Sequence, residues 1–499
     1  MSQYRHTPLS LGRDSIRLLR LMPHEDKAAD IQCELFEYSL PNSCERTHMY
    51  DALSYVWGNP AEKLPIFIHT HSFNITVNLH AALSHLRNHS IERILWIDAI
   101  CINQENQEEK QYQIQSMAKI YGQANRVIVW LGEAAHDSDL ALEEIRVSWD
   151  RKATNSLHSE RIQQAVLALL ERPWFRRIWI LQEVAAARHV LVMCGSKMID
   201  GYVFCLGVDS LKDFYNVCPD LQDLIRPVTH LIRGAIFRPA YSTGSLGRSS
   251  LDICPLSELM DMYHSHEATK RHDKVYALLG MSSDDISKIG LLPDYGVPWE
   301  ELLQRLAKFL LHEKISVETW QNREIVVIKS KGCILGKVTS VQSNMARGDR
   351  QGVNVTFMNI PRQPGGRGGW SAYWTLQVSA KPLREGDFIC LLQGALKPTI
   401  IRLCNDHFSI IMVAASPQEH IETKSPHIKR LTLSNSKNIF TRDFLLVWDW
   451  ENTLNLQEQK RYETVIRTDC LVSERSKTEP GTYLENATRT WNVALILGD

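Results

Sequence analysis

The chain has 499 residues, with 56 Lys+Arg against 57 Asp+Glu and a formal net charge of −1. That balance excludes a chain built chiefly to coat nucleic acid or an anionic membrane, and at about 150 residues per domain the length predicts roughly three domains. Hydrophobic residues at 44% and charged residues at 23% are ordinary globular values, which excludes wholesale disorder. The eleven cysteines are scattered, with no CxxC or CxxxC pair, so no zinc ribbon or thioredoxin-type site is written here. Only HTH (69–71) and HSH (264–266) bring His residues close in sequence, and no Cys or carboxylate cluster joins them, so no metal site is expected. The start, MSQYRHTPLSLGRDSIRLLR, lacks the apolar run of a signal peptide. Runs such as FLLVWDW and IIMVAAS fall far short of the roughly 20 apolar residues that span a bilayer. The expectation is a soluble cytoplasmic protein with reduced thiols, no membrane span, no nucleic-acid partner and no bound cofactor.

Residues 14–39 alternate charged and apolar stretches and predict two strands. YDALSYVWG reads as a strand ending at Gly58-Asn59-Pro60, a turn signal. PIFIH and FNITV alternate as a hairpin does. NLHAALSHLRNH has Leu79, Leu83 and Leu86 on one helical face, and ILWID (94–98) is a short buried strand. ENQEEKQYQIQSMAKIYG predicts a helix, with Asn106 and Glu109 as a capping box. RVIVWLG (126–132) is another buried strand, helical patterns follow at about 137–150 and 158–171, FRRIWILQEVAAA is a further helix, and HVLVMCG (189–195) is a strand.

Strands alternating with helices predict an α/β domain with a parallel sheet. Residues 201–320 read as a helical middle segment, strongest at KVYALLGM and WEELLQRLAKFLLHE, with a Gly/Ser-rich break at 242–250. From 321 to 499 the character is β-rich: REIVVIKS, GCILGKVTSV, GVNVTFMNI, YWTLQVSA, GDFICLLQG, PTIIRLC and FSIIMVAAS predict a small antiparallel sandwich or barrel. PRQPGGRGGW (361–370) reads as a disordered loop inside it.

Three blocks, YDALSYVWGNP, LWIDAICINQENQEEKQYQIQSMAKIYGQANRVIVWLGEA and RPWFRRIWILQEV, resemble the fungal heterokaryon-incompatibility (HET) domain in order and spacing. Lys110 stands where that family usually has Arg, so the position stays cationic. The resemblance places the domain at 50–200, after N-terminal strands at 1–49. HDKVYALLGMSSD and the β-rich tail are similar to segments that follow such domains. It implies a role in fungal non-self recognition and programmed cell death. The HET domain is in turn similar to the flavodoxin-like Toll/interleukin-1 receptor (TIR) domain. Some TIR domains assemble as scaffolds, and others cleave NAD at the nicotinamide–ribose bond through a glutamate on a helix that begins near a Trp. That pattern falls on RIWILQEV, and so on Glu183. NAD is then a substrate, and the implied partners are further copies of the chain or other incompatibility proteins.

Two readings of the residues stand side by side. The helix carrying Glu183 is apolar almost all round, so its carboxylate is buried and needs a partner or a role. Trp179, four residues earlier, lies beside it and could stack a nicotinamide riboside whose hydroxyls the carboxylate accepts from. The alternative is a structural Glu paired with Arg172, Arg176 or Arg177. Asp98 ends a buried strand, and the 99–105 loop occupies the carboxyl end where open α/β sheets bind ligands. Asn103 and Gln104 suit an amide or ribose there; the alternative is that Asp98 and Asn103 tie down the loop and cap the helix near Asn106, a structural role that suits Asn103 better and leaves Asp98 open. Trp57 is a pocket wall or a core ring. Cys101, between two isoleucines, reads as a small core residue rather than a nucleophile. Asp273 and Lys274 read as a structural ion pair at a helix start.

Overall fold

The computed structural model describes residues 2–10, 14–40, 49–149, 160–211, 219–235, 242–243, 249–285, 290–319, 321–342, 350–358, 370–404, 407–417, 440 and 442–450. The expected loop at 361–370 falls outside them except for its last residue. Two compact units divide the chain: Met1–Pro255 with His266–Asp285 and Leu292–Tyr295, and Leu256–Ser265 with Ile286–Leu291 and Gly296–Asp499.

The first unit is built on a nine-stranded sheet. Its strands are β1 (Ser15–Leu21), β2 (Gln32–Ser39), β3 (Asp51–Tyr55), β4 (Lys63–Ile68), β5 (His71–Thr76), β6 (Arg93–Trp96), β7 (Val127–Trp130), β8 (Val190–Cys194) and β9 (Lys197–Asp200), in the order β5-β4-β2-β1-β6-β3-β7-β8-β9. The expected parallel sheet holds only at the centre, where β3 pairs in parallel with β6 and β7, and β7 with β8. The sheet as a whole is mixed. β1 lies antiparallel to β2 and β6, and the β4–β5 hairpin attaches through a parallel β2–β4 pairing. The central strands are mostly apolar because both their faces are covered: Ala52, Leu95, Trp96, Val127, Ile128 and Val129 have no exposed surface, and the polar Ser54 of β3 is buried among them.

Helices close those crossovers: α1 (Val77–Leu86), α2 (Asp98–Cys101), α3 (Gln107–Gln123), α4 (Ser138–Ser148), α5 (Glu160–Leu170), α6 (Trp179–Ala186) and α7 (Gly201–Ser210). The long helix read in FRRIWILQEVAAA is shorter than expected. A 3-10 turn occupies Pro173–Arg176, and the α-helix begins only at Trp179. Half of the capping box forms. Asn106 Oδ1 accepts the Glu109 backbone N–H at 3.1 Å, but the Glu109 carboxylate turns to Arg17 and to the Asn103 N–H instead. Gly58 has φ +80°, the left-handed turn conformation its sequence context predicts.

α7 packs against α4 at Gly207, where an added Cβ would sit 1.9 Å from the Ile145 carbonyl oxygen. Gly207→Ala is therefore expected to force the two helices apart and destabilise this unit by about 1–3 kcal/mol. A urea unfolding curve checks this, and an unchanged midpoint would contradict the contact.

The chain continues with a helix at Pro219–Ala235, the short strands β10 (Ser242–Thr243) and β11 (Ser249–Ser250), and helices at Leu256–Tyr263, Asp273–Leu279 and Trp299–Leu311. These helices are divided between the two units.

The second unit carries β12 (Ser316–Thr319), β13 (Ile325–Gln342), β14 (Arg350–Phe357), β15 (Trp370–Gln377), β16 (Phe388–Leu392), β17 (Thr399–Leu403), β18 (Phe408–Met412) and β19 (Arg442–Asp449). β13, β16, β17, β18 and β19 pair in a closed ring, all antiparallel except β18–β19, and β14–β15 extend it. The two runs REIVVIKS and GCILGKVTSV are one 18-residue strand, β13. Its glycines are not turns. A Cβ at Gly336 would lie 2.5 Å from the Thr356 oxygen, and one at Gly332 would lie 3.0 Å from the Leu391 oxygen, so they permit close strand approach. Asp261, 1% exposed, ties its helix to this sheet by accepting the N–H groups of Val413 at 2.7 Å and Ala414 at 3.3 Å. No helix among the described residues is long and apolar enough to cross a membrane.

Candidate functional site

The site is assembled at the carboxyl ends of β3 and β6 and on α6. β3 contributes alternating side chains from the run Leu53-Ser54-Tyr55, all buried. Ser54 Oγ donates to Glu183 Oε2 and accepts the indole N–H of Trp174 at 2.9 Å. Glu183 is 4% exposed, and its Oε1 has no hydrogen-bond partner among the described residues. Burial pushes its carboxyl up to about 7 from an ordinary 4.5. The Arg177 guanidinium and the Ser54 hydroxyl pull it down, and nearby Asp98 raises it further.

The expected arginine clamp on Glu183 is not formed. Among the described residues Arg172 donates to the Leu131 carbonyl at 3.2 Å, Arg176 faces Glu267 at 3.8 Å, and Arg177 donates to the Tyr55 carbonyl. Arg177 acts on Glu183 only through its field.

Asp98 is half-buried and faces the same region. Its Oδ2 accepts the Trp57 indole N–H at 2.8 Å, and its Oδ1 accepts the Ala99 N–H at 2.7 Å. Trp57 is 37% exposed, so it is a rim residue rather than a core ring. The buried Tyr55 hydroxyl lies near Asp98. Burial first, and then the Asp98 charge, holds it well above the ordinary tyrosine range. Tyr55, Trp57, Asp98 and Glu183 therefore share one region.

Asn103 serves the loop. Its N–H donates to Glu109 Oε1 at 2.7 Å, its Oδ1 accepts the Glu105 N–H at 3.2 Å, and Gln104 Nε2 donates to the Asp98 carbonyl at 3.0 Å. Cys101 is buried, with its thiol pushed up to about 12 by burial.

Trp179 is half-buried, with its indole directed at Asp273 rather than at the Glu183 carboxyl. Asp273 accepts the Tyr295 hydroxyl at 2.5 Å, and Lys110 and Lys270 lie 5.7 and 4.8 Å from the centre of the Tyr295 ring. Burial raises the Asp273 carboxyl and lowers the Lys110 ammonium. Glu183 and Trp179 are thus neighbours on α6 that face different partners.

Ser54 was legible only as part of a strand end, and nothing local marks it as the partner of a carboxylate 129 positions away. Ser54→Ala is expected to leave the buried Trp174 N–H and Glu183 oxygen unpaired, costing about 1–3 kcal/mol, and to push the Glu183 carboxyl still higher. Unfolding curves across pH check both effects, and a variant as stable as the parent would contradict the bond.

Residues 50–183 match the family described as Heterokaryon incompatibility protein (HET). The chain is 29% identical over 360 residues to Heterokaryon incompatibility protein 6, OR allele, of Neurospora crassa, a match covering 58% of this chain and 51% of that protein. The chain thus spans about half the length of this curated relative. No solved structure matches the chain.

Proposed function

Because the chain carries a heterokaryon incompatibility domain at residues 50–183, we propose that it acts in fungal non-self recognition and programmed cell-death signalling, and that it does so by cleaving NAD at the nicotinamide–ribose bond. The observation that carries the enzymatic part is a buried carboxyl, Glu183, that forms no ion pair with an arginine among the described residues and feels Arg177 only through its field, set beside Asp98. Glycosidic cleavage of NAD passes through an oxocarbenium-like ribose, and a carboxylate within reach stabilises that charge. Nicotinamide leaves as a neutral base, so no general acid is required. Glu183 Oε1 is the atom that would accept from a ribose hydroxyl, with Asp98 and Trp57 at the rim. Asn103 acts by holding the 99–105 segment, and Trp179, one turn before Glu183 on α6, by its bond to Asp273 beside the site.

Glu183 serves this role when ionised, so nicotinamide release should rise with pH through about 7. The test is incubation of the purified full chain with NAD and chromatographic detection of free nicotinamide. A rate that climbs between pH 6 and 8 supports the reading. NAD unchanged over hours at high protein concentration, together with concentration-dependent assembly, would replace it with a scaffold that self-associates or recruits another incompatibility protein. The 4% exposure of Glu183 is the feature that favours this second reading.

A further inference from the structure

The second unit holds a thiol unlike six other cysteines among the described residues. β17 and β18 pair with Leu403 opposite Phe408, and Cys404 N–H donates to the His407 carbonyl at 2.9 Å, which continues that register by one position. Directly opposed residues of an antiparallel pair project to the same face with Cβ atoms about 5 Å apart. The pairing accordingly sets the His407 side chain on the same face as the Cys404 sulfur, which itself donates weakly to the Arg402 carbonyl at 3.9 Å. Arg402, two positions earlier and so on the same face, is fixed by Asp387 through contacts of 2.7 and 2.9 Å, which holds its guanidinium in place as a source of positive potential. The Lys381 amine also lies within electrostatic reach of Cys404.

Cys404 is half-buried and His407 is 6% exposed, so the sulfur is reachable while its partner is held in the core. Burial alone would raise the Cys404 thiol, but His407, the Ser409 backbone N–H and Arg402 together outweigh it and lower the thiol below its ordinary range. In contrast, burial raises those of Cys33, Cys101, Cys194, Cys205, Cys333 and Cys390.

We propose that Cys404 is a modification site whose sulfur, set beside His407, reacts as a nucleophile with hydroperoxides. The Cys404 thiolate attacks one peroxide oxygen and an S–O bond forms as the O–O bond breaks. The departing hydroxide, or alkoxide from an organic hydroperoxide, takes the proton from the His407 imidazolium, which leaves a sulfenic acid, neutral imidazole and water or the alcohol. Sulfur loses two electrons and the peroxide gains them. This site stands apart from the Glu183 chemistry and does not depend on it.

The full chain is exposed to iodoacetamide over time, and its cysteine peptides are quantified by mass spectrometry at several pH values. At pH 7 the Cys404 peptide should alkylate roughly tenfold or more faster than those of Cys33, Cys101 and Cys390, with a half-maximal rate below the ordinary thiol pH of about 8.5. After hydrogen peroxide, dimedone should be captured at Cys404, and His407→Gln should move the rate profile up toward pH 8.5. A Cys404 rate no faster than the buried thiols, or a wild-type midpoint at or above about 8.5, would overturn the proposal whether or not the variant folds.

Discussion

Glu183→Gln is expected to stabilise the N-terminal unit by roughly 2–4 kcal/mol at pH 9 and to change it little near pH 4. Burial raises the Glu183 carboxyl from 4.5 to about 7. A raised acid contributes stability that is fully present below its unfolded value near 4.5 and is lost as pH rises through about 7, where the folded protein must ionise a carboxyl that prefers its proton. Glutamine carries no charge at any pH, and its amide oxygen still accepts from Ser54, so the variant keeps the low-pH stability throughout. The field of Arg177 opposes this effect, but it acts without a formed ion pair and does not cancel the burial. Urea unfolding of both proteins at pH 4 and pH 9 reads the difference directly. A variant clearly less stable than the parent at pH 9 would mean that Arg177 neutralises the carboxylate after all.

Arg17→Ala should be among the most damaging single changes in the same unit, costing about 3–5 kcal/mol. Arg17 is 3% exposed and grips Glu109 with both Nη atoms, at 2.6 and 3.0 Å. It also donates to the Cys101 carbonyl at 3.0 Å and the Thr7 carbonyl at 2.6 Å. Truncation leaves the Glu109 carboxylate charged and buried with only the Asn103 N–H to satisfy it. The loss extends beyond stability, because Glu109, Asn103 and Arg17 together fix the end of α2, which starts at Asp98, and the turn after it, and so the position of the Asp98–Trp57 bond. The variant should therefore show a raised KM for NAD as well as a lowered unfolding midpoint. Replacing Glu109 with Leu in the Arg17→Ala background should recover part of the stability, since the uncompensated charge is gone. A single variant within about 1 kcal/mol of the parent would contradict the buried pair.

The central strands were legible in sequence because they are buried on both faces and read as short, mainly apolar runs. Their order was not. β1 sits beside β6 and the β4–β5 hairpin is docked on β2, pairings that depend on contacts far apart in the chain. Glycine misled once in β13, where the break read before Gly332 is continuous strand; Gly332, like Gly336 within the second run, serves close approach between strands. At the site, the apolar surround of Glu183 announced a buried carboxyl, and the 99–105 loop announced its place at the end of a strand. The partner of that carboxyl could not be read, because Ser54 reaches it, and Trp174 reaches Ser54, only after β3, the 3-10 turn and α6 are packed together. The three arginines near Glu183 in sequence looked like natural partners, yet the turn at Pro173–Arg176 sends them to backbone carbonyls and to Glu267.

The most direct measurement compares wild-type protein with the Glu183→Gln variant for nicotinamide release at pH 8, with the fold of each monitored by its melting curve. The account predicts a loss of at least about a hundredfold in a variant that melts no earlier than the parent. Equal release from both proteins, or release from neither, would contradict it.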